Sequence, residues 1–331
     1  MNLVEKNLHL VLCLHNLLYN YCKSFQKVLD KTDLETSSYL IPFDGKDWGT
    51  FHFWQWENFK CHWRHLGSEL DQPILLLHGF GASSAHWRNN AGVLASSGYC
   101  VYSLDLIGFG RSQQSESKRI DNLDNKIWAN QVEAFINEVI NHKQQRKVII
   151  IGNSLGGLTA LTISAFKPEL ILAVVAAPLP DPALTQSLMI SWPNFIHRII
   201  KVCGICFFNL LPLELLIPLI ARTKLIQFAL QGAYYKSIMS DKELLNIVSV
   251  PARKNIAPKL LRAMCIGMSF RNIEITAPYL LRELTASNNR PPFLLIWGEK
   301  DNFIPLNIGK NILKKFSWLK LNIFEKSGHC P

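Results

Sequence analysis

The chain is short of charge: Asp, Glu, Lys and Arg make up 18% of its 331 residues, against 48% hydrophobic residues. That balance excludes a disordered polyelectrolyte and supplies enough apolar side chain for one large core with an insertion. No internal repeat or low-complexity tract is present, which excludes a repeat architecture. The eight cysteines, Cys13, Cys22, Cys61, Cys100, Cys203, Cys206, Cys265 and Cys330, follow no secreted disulfide pattern, and Cys203-Gly204-Ile205-Cys206 sits in an apolar stretch without partner ligands. They read as reduced thiols of a cytosolic-type compartment. No His and Cys spacing suits zinc; His62 and His65 fall on a strand and turn after Phe59-Lys60, and neither metal nor cofactor is expected. No nucleic-acid module is visible, and basic residues scattered among Leu and Ile argue against a nucleic-acid partner. Nor does any run read as a bilayer span. Residues 202–220 are nearly long enough, but Asn209, Pro212, Glu214 and Pro218 oppose crossing.

What is present is a strand, a sharp turn and a helix with a serine at the apex. Lys147-Val148-Ile149-Ile150-Ile151 is an apolar β-branched run, Gly152-Asn153-Ser154-Leu155-Gly156 is the turn, and Leu158 to Ile163 can be helical. Glycine is needed at 152 and 156 because a side chain at either place would meet a neighbouring element when Ser154 is forced into a strained conformation. Ser154 then stands at a helix N-terminus, where free N–H groups favour negative charge. Three further segments complete the pattern. Pro73-Ile74-Leu75-Leu76-Leu77 leads into His78-Gly79-Phe80-Gly81, whose Phe80 N–H and the Leu155 N–H are the candidate oxyanion hole. The strand at 292–297 ends in Gly298-Glu299-Lys300-Asp301, so Asp301 is the candidate orienting acid. The alternating segment 319–324 leads through Ser327-Gly328 to His329, the candidate base. The chain order is Ser, Asp, His.

On these motifs, together with Asp105-Leu106-Ile107-Gly108-Phe109-Gly110-Arg111-Ser112, the chain from about Phe51 resembles the α/β-hydrolase superfamily. Gly152-Asn153-Ser154-Leu155-Gly156-Gly157 and Gly328-His329-Cys330-Pro331 make it most similar to the cyanobacterial and plastid hydrolases of the pheophytinase type. The resemblance implies an α/β fold: a mostly parallel central sheet flanked by helices, with an inserted helical cap. It also implies substrate contact at Phe80 and Asn153. Hydrolases that form an alkyl-enzyme ester place aspartate where Ser154 stands here, so haloalkane and epoxide chemistry is disfavoured; Asp105 and Arg111 read as holding the loop through Gly108 and Gly110.

Four regions follow: an N-terminal helical extension at 1–40, a first core part at 41–180, a helical cap at 181–289 and a last core part at 290–331. The resemblance leads one to expect a further helix after the histidine, so the last part reads as truncated behind His329. In the extension Leu8, Leu12, Leu14, Leu17, Leu18 and Tyr21 recur at helical spacing, without the basic start or small-residue cleavage site of a signal peptide. It reads as a helix on the body of the protein, with membrane-surface contact as the alternative. Residues 50–64, with Phe51, Phe53, Trp54, Trp56, Phe59 and Trp63 around Glu57-Asn58, read as an edge hairpin. A helix is expected over 87–94, a strand over 101–105, a long helix over 127–139 and a strand over 173–177. Residues 181–290 hold thirteen Lys and Arg against six Asp and Glu, +7 of the chain's net +10. A basic, apolar cap suits an anionic membrane surface or an amphiphilic substrate.

The expected function is a serine hydrolase cleaving a carboxylic ester of an apolar or amphiphilic substrate, in the pheophytinase reading a phytyl-type ester of a tetrapyrrole. Carbon–carbon bond hydrolysis on the same scaffold, or ligand binding with little turnover, are the alternatives. The expected setting is the cytoplasm or plastid stroma, with no obligatory protein partner.

Overall fold

The computed structural model describes residues 48–112, 122–143, 145–185 and 194–331. The expected extension at 1–40 lies outside them. Eight strands form one sheet: β1 (Thr50–Trp56), β2 (Phe59–Leu66), β3 (Gln72–Leu77), β4 (Tyr99–Leu104), β5 (Val148–Asn153), β6 (Ile171–Ala177), β7 (Phe293–Gly298) and β8 (Lys320–Phe324), in the order β1-β2-β4-β3-β5-β6-β7-β8. β1 and β2 are the expected edge hairpin, antiparallel about Glu57-Asn58, and β2 runs antiparallel to β4. All other pairs are parallel.

The central strands read as unbroken apolar runs because both faces are covered. Leu75 and Leu77 of β3 join the larger core, while Ile74 and Leu76 join a second cluster with Trp48, Ala91 and Val101 on the opposite face. Burial of one such leucine contributes roughly 1.5–3 kcal/mol. The larger core is closed by α2 (Asn125–Phe135), whose last turn widens into a π-helical turn at Ile136–Ile140, and by α3 (Leu155–Phe166), which is buried along nearly its whole length. On the other face, residues 87–94 do not form one helix. A 3₁₀ turn at Ser84–Asn89 precedes the short α1 (Ala91–Ser96). Asn89 and Asn90 stand at the break, where short polar side chains compete with helical hydrogen bonds.

Between β6 and β7 the chain is helical: α4 (Asn194–Leu210), α5 (Leu213–Arg222), α6 (Leu225–Gln231), α7 (Lys242–Ala252), α8 (Ala257–Phe270) and α9 (Ala277–Ala286). The expected cap boundary at 289 is too late. Leu280, Leu281 and Leu284 of α9 belong to the main core, so α9 is a flanking helix of the sheet. The insertion's two ends are clasped at its base, where buried Asp181 pairs with Arg271 (2.6 Å) and accepts the Ala277 N–H (2.5 Å). The last helix is α10 (Leu306–Lys315), between β7 and β8. Among the described residues no single helix is long and apolar enough to cross a membrane; the pair Lys201–Leu210 and Leu213–Arg222 passes that test only together, with a 52° bend between them.

Candidate active site

After β3 the chain turns to β4 on one side, and β5 pairs with β3 on the other, so the carboxyl ends of β3 and β5 form a switch point where open α/β sheets leave a crevice. Leu77 pairs with Gly152, which puts Phe80 and Leu155 each three residues beyond a matched pair. Ser154 sits between β5 and α3 with φ 51° and ψ −114°, a conformation costing about 1–3 kcal/mol that the surroundings must hold. The flanking glycines permit it. A Cβ on Gly152 would run into the Gly156 carbonyl, and one on Gly156 into the Leu77 carbonyl. The Ser154 N–H is anchored on the Ala177 carbonyl of β6 at 2.7 Å.

Ser154, Asp301 and His329, from the ends of three strands, meet. His329 Nε2 lies 2.9 Å from Ser154 Oγ, and His329 Nδ1 lies 2.9 Å from Asp301 Oδ2. The carboxylate at Nδ1 holds the proton there and leaves Nε2 as an acceptor facing the hydroxyl. Asp301 is fixed by its other oxygen, which accepts the N–H groups of Phe303 (2.8 Å) and Ile304 (2.9 Å). The Phe303 ring meets the imidazole edge-on at 5.3 Å between centroids. As the first residue of α3, Leu155 has no intrahelical acceptor for its N–H, and among the described residues the Phe80 N–H donates to no backbone acceptor. The Phe80 side chain is 56% exposed, its ring edge-on to Phe109 at 5.8 Å between centroids.

Asn153 has a different place. Its side chain is buried, with Nδ2 donating to the Ala177 carbonyl (2.8 Å) and the His329 carbonyl (3.3 Å). These bonds tie Asn153 to β6 and to the histidine loop. Neighbouring Cys330 is no rival nucleophile, since burial pushes its thiol up to about 11 despite a hydrogen bond with Tyr234. His78 is fully buried; its Nε2 accepts from Leu106 N–H (3.0 Å) and its Nδ1 donates to the Gly79 carbonyl (2.8 Å). Burial lowers its pKa, and it is a neutral strut of the turn.

Asp105 and Arg111 act on the loop as expected. The Asp105 carboxylate accepts the N–H groups of Ser84 (2.6 Å) and Arg111 (2.7 Å) and pairs with His62 Nδ1 (2.9 Å). Burial works to raise its pKa, but the hydrogen bond and charge of His62 and the Arg111 N–H hold it well below the ordinary carboxylate value. Among the described residues no cluster of three His, Cys, Asp or Glu could hold a metal ion, and the six cysteines there are unbridged.

The reading of the sequence missed the contribution of the insertion. The Ala233 carbonyl, just after α6, accepts the His329 N–H at 2.8 Å and the Cys330 N–H at 3.3 Å. Tyr234 Oη bonds to His86 Nε2 at 2.6 Å. A backbone acceptor in an irregular turn carries no side-chain signal, so nothing in the sequence marks Ala233. The Asp301 turn is different, because an aspartate followed by amides it can cap is a recognisable turn signature.

Residues 72–195 match the family model described as the alpha/beta hydrolase fold. The fold is that of the alpha/beta hydrolases. Within this fold the chain is 34% identical over 120 residues to the 2-hydroxy-6-oxo-6-(2'-aminophenyl)hexa-2,4-dienoic acid hydrolase of Metapseudomonas resinovorans, a match spanning 34% of the chain and 37% of that relative. It is 25% identical over 257 residues to the hydrolase YugF of Bacillus subtilis, covering 77% of the chain and 82% of the relative. Among solved alpha/beta-hydrolase structures, a membrane phospholipase A described as a bacterial virulence factor superposes with a TM-score of 0.60 at 21% identity, over 85% of this chain and 79% of that one.

Proposed function

We propose that this alpha/beta-hydrolase chain is a serine hydrolase that cleaves a carboxylic ester of an apolar or amphiphilic substrate. The supporting observation is the connected line from Ser154 Oγ through the His329 ring to Asp301 Oδ2, both hydrogen bonds 2.9 Å, with the serine on a strained turn at a helix N-terminus. Ser154 Oγ attacks the ester carbonyl as His329 Nε2 takes its proton. The carbonyl oxygen gathers the negative charge between the Phe80 and Leu155 N–H groups, each such donor contributing roughly 3 kcal/mol to lowering the barrier. The carbonyl reforms, the C–O bond to the alcohol breaks, and His329 returns the proton to the leaving oxygen. Water, deprotonated by His329, then attacks the acyl carbon, the acyl carbon–Oγ bond breaks as His329 returns the proton to Ser154 Oγ, and the acid leaves. Asp301 holds the tautomer throughout, and Asn153 and Ala233 hold the loop bearing His329. The insertion over the site acts as a lid, and the exposed Phe80 ring with the apolar insertion favours a hydrophobic acyl or alcohol group. A phytyl-type ester of a tetrapyrrole, the pheophytinase reading, is one substrate of that class.

The match to a dienoic acid hydrolase favours carbon–carbon hydrolysis as a second reading. There the same serine and histidine would serve a diketone, whose carboxylate needs polar contacts beside the site. The test is labelling of the full chain by a fluorophosphonate probe, followed by turnover of p-nitrophenyl esters of increasing acyl length and of a ring-cleavage-type dienoate. Labelling abolished in Ser154→Ala, with turnover of about one-millionth of the parent's, is expected. Labelling with dienoate turnover alone selects the second reading, and no labelling of folded protein removes both.

A further inference from the structure

The arm formed by α4 and α5 is built inside out. On α4 the exposed residues Ile199, Val202, Cys203, Cys206, Phe207 and Leu210 recur at spacings of three and four, one continuous face of a helix. That pattern ordinarily marks the side turned to a core, yet here it faces out. The side turned inward is served by Phe208, buried against Phe270 at 6.4 Å between ring centroids. On α5 the same inversion continues: Leu213 and Ala221 are buried, whereas Leu215, Leu216 and Leu219 are exposed. Leu210 and Leu215, at 82% and 75% exposure, bracket the 52° bend, so its apex presents two leucines beside the Glu214–Arg262 pair. A contiguous exposed patch of this kind marks an interaction surface.

Charge identifies the occupant. Exposed Lys201 stands on one limb of the arm, and exposed Arg222 and Lys224 at the end of the other. Its acid, Glu214, is already paired with Arg262. The surrounding 181–290 segment carries +7 of the chain's +10, so a second copy would bring like charge against like. We infer that the α4–α5 arm docks on an anionic lipid bilayer, its bend lying in the headgroup boundary with the leucines and Phe207 turned toward the acyl chains. Neither limb is long and apolar enough to cross alone, and the docking inferred is peripheral.

The test is flotation of the full chain with vesicles of phosphatidylcholine alone and of phosphatidylcholine with phosphatidylglycerol, at low and high salt, with folding checked by circular dichroism. Binding to the anionic vesicles is expected to fall on the order of a hundredfold in Phe207→Asp/Leu215→Asp, both exposed positions that leave the core untouched. It should fall about fivefold for each of Lys201→Glu and Lys224→Glu, and with added salt. Ser154→Ala should bind like the parent, which separates docking from chemistry. No vesicle binding by the parent, or binding indifferent to these variants, overturns the inference. A dimer in multi-angle light scattering that Phe207→Asp dissociates, without lipid binding, assigns the face to a second copy instead.

Discussion

Two histidine–aspartate pairs stand in this molecule at the same 2.9 Å separation, one just past β4 and one just past β7. The pair His62–Asp105 is 1% exposed on both sides, and His62 Nε2 has no hydrogen-bond partner among the described residues. The pair His329–Asp301 keeps its imidazole partly open, and its second nitrogen faces the hydroxyl of Ser154. Geometry between the two side chains is therefore not what separates them. The difference lies in what the far nitrogen reaches and in what the carboxylate is otherwise spent on. Asp105 ties two loop amides to the sheet, a fastening task. Asp301 caps its own short turn and leaves one oxygen for the imidazole.

The sharpest way to break this comparison is to neutralise each acid in turn. Asp301→Asn is expected to lower kcat on a chromogenic ester by about 10⁴, the cost of the wrong imidazole tautomer, with little change in the urea midpoint. Asp105→Asn should do the reverse: a loss of about 3–5 kcal/mol in denaturant unfolding, with kcat per folded molecule within about tenfold of the parent. Equal kinetic losses in both would erase the distinction. Acid sharpens it further. The Asp105 pKa is depressed in the fold, so its contribution is fully present above the unfolded value of about 3.9 and is lost as pH falls below it. The stability gap between parent and Asp105→Asn should thus be widest near neutrality and narrow below about pH 4. The smallest effect is expected at Ser84, whose Oγ lies 3.5 Å from His62 Nδ1. Ser84→Ala should cost about 0.5–1.5 kcal/mol and leave fluorophosphonate labelling unchanged, whereas loss of labelling would make the buried pair a rival site.

Much of this was legible in the sequence because the features carrying it are local. The apolar runs ending in Leu77, Gly152 and Gly298 announce strands and the loops beyond them. Gly152 and Gly156 announce the close approach that Ser154 needs, and the order of Ser154, Asp301 and His329 follows. Two kinds of feature were not legible. The break at Asn89-Asn90 turns on two short polar side chains inside an otherwise helical stretch, and the core role of α9 depends on packing partners far away in the chain; periodicity names neither. The structural ties of Asn153 were hidden for a related reason. Its sequence neighbours do not reveal that its amide nitrogen bonds the Ala177 and His329 carbonyls.

The bond from His329 N–H to the Ala233 carbonyl has a consequence for inheritance. A helical segment placed between two strands of a sheet looks like a free cassette, open to exchange by recombination whenever a new substrate is wanted. Here the cassette carries one of the splints that keep the imidazole in place, so a replacement lacking an acceptor at that spot would alter more than the pocket's shape. In the proposed mechanism it would loosen the residue that moves the proton. On that proposal substrate range and reaction rate are yoked in one stretch of chain, and a change in either is felt by both.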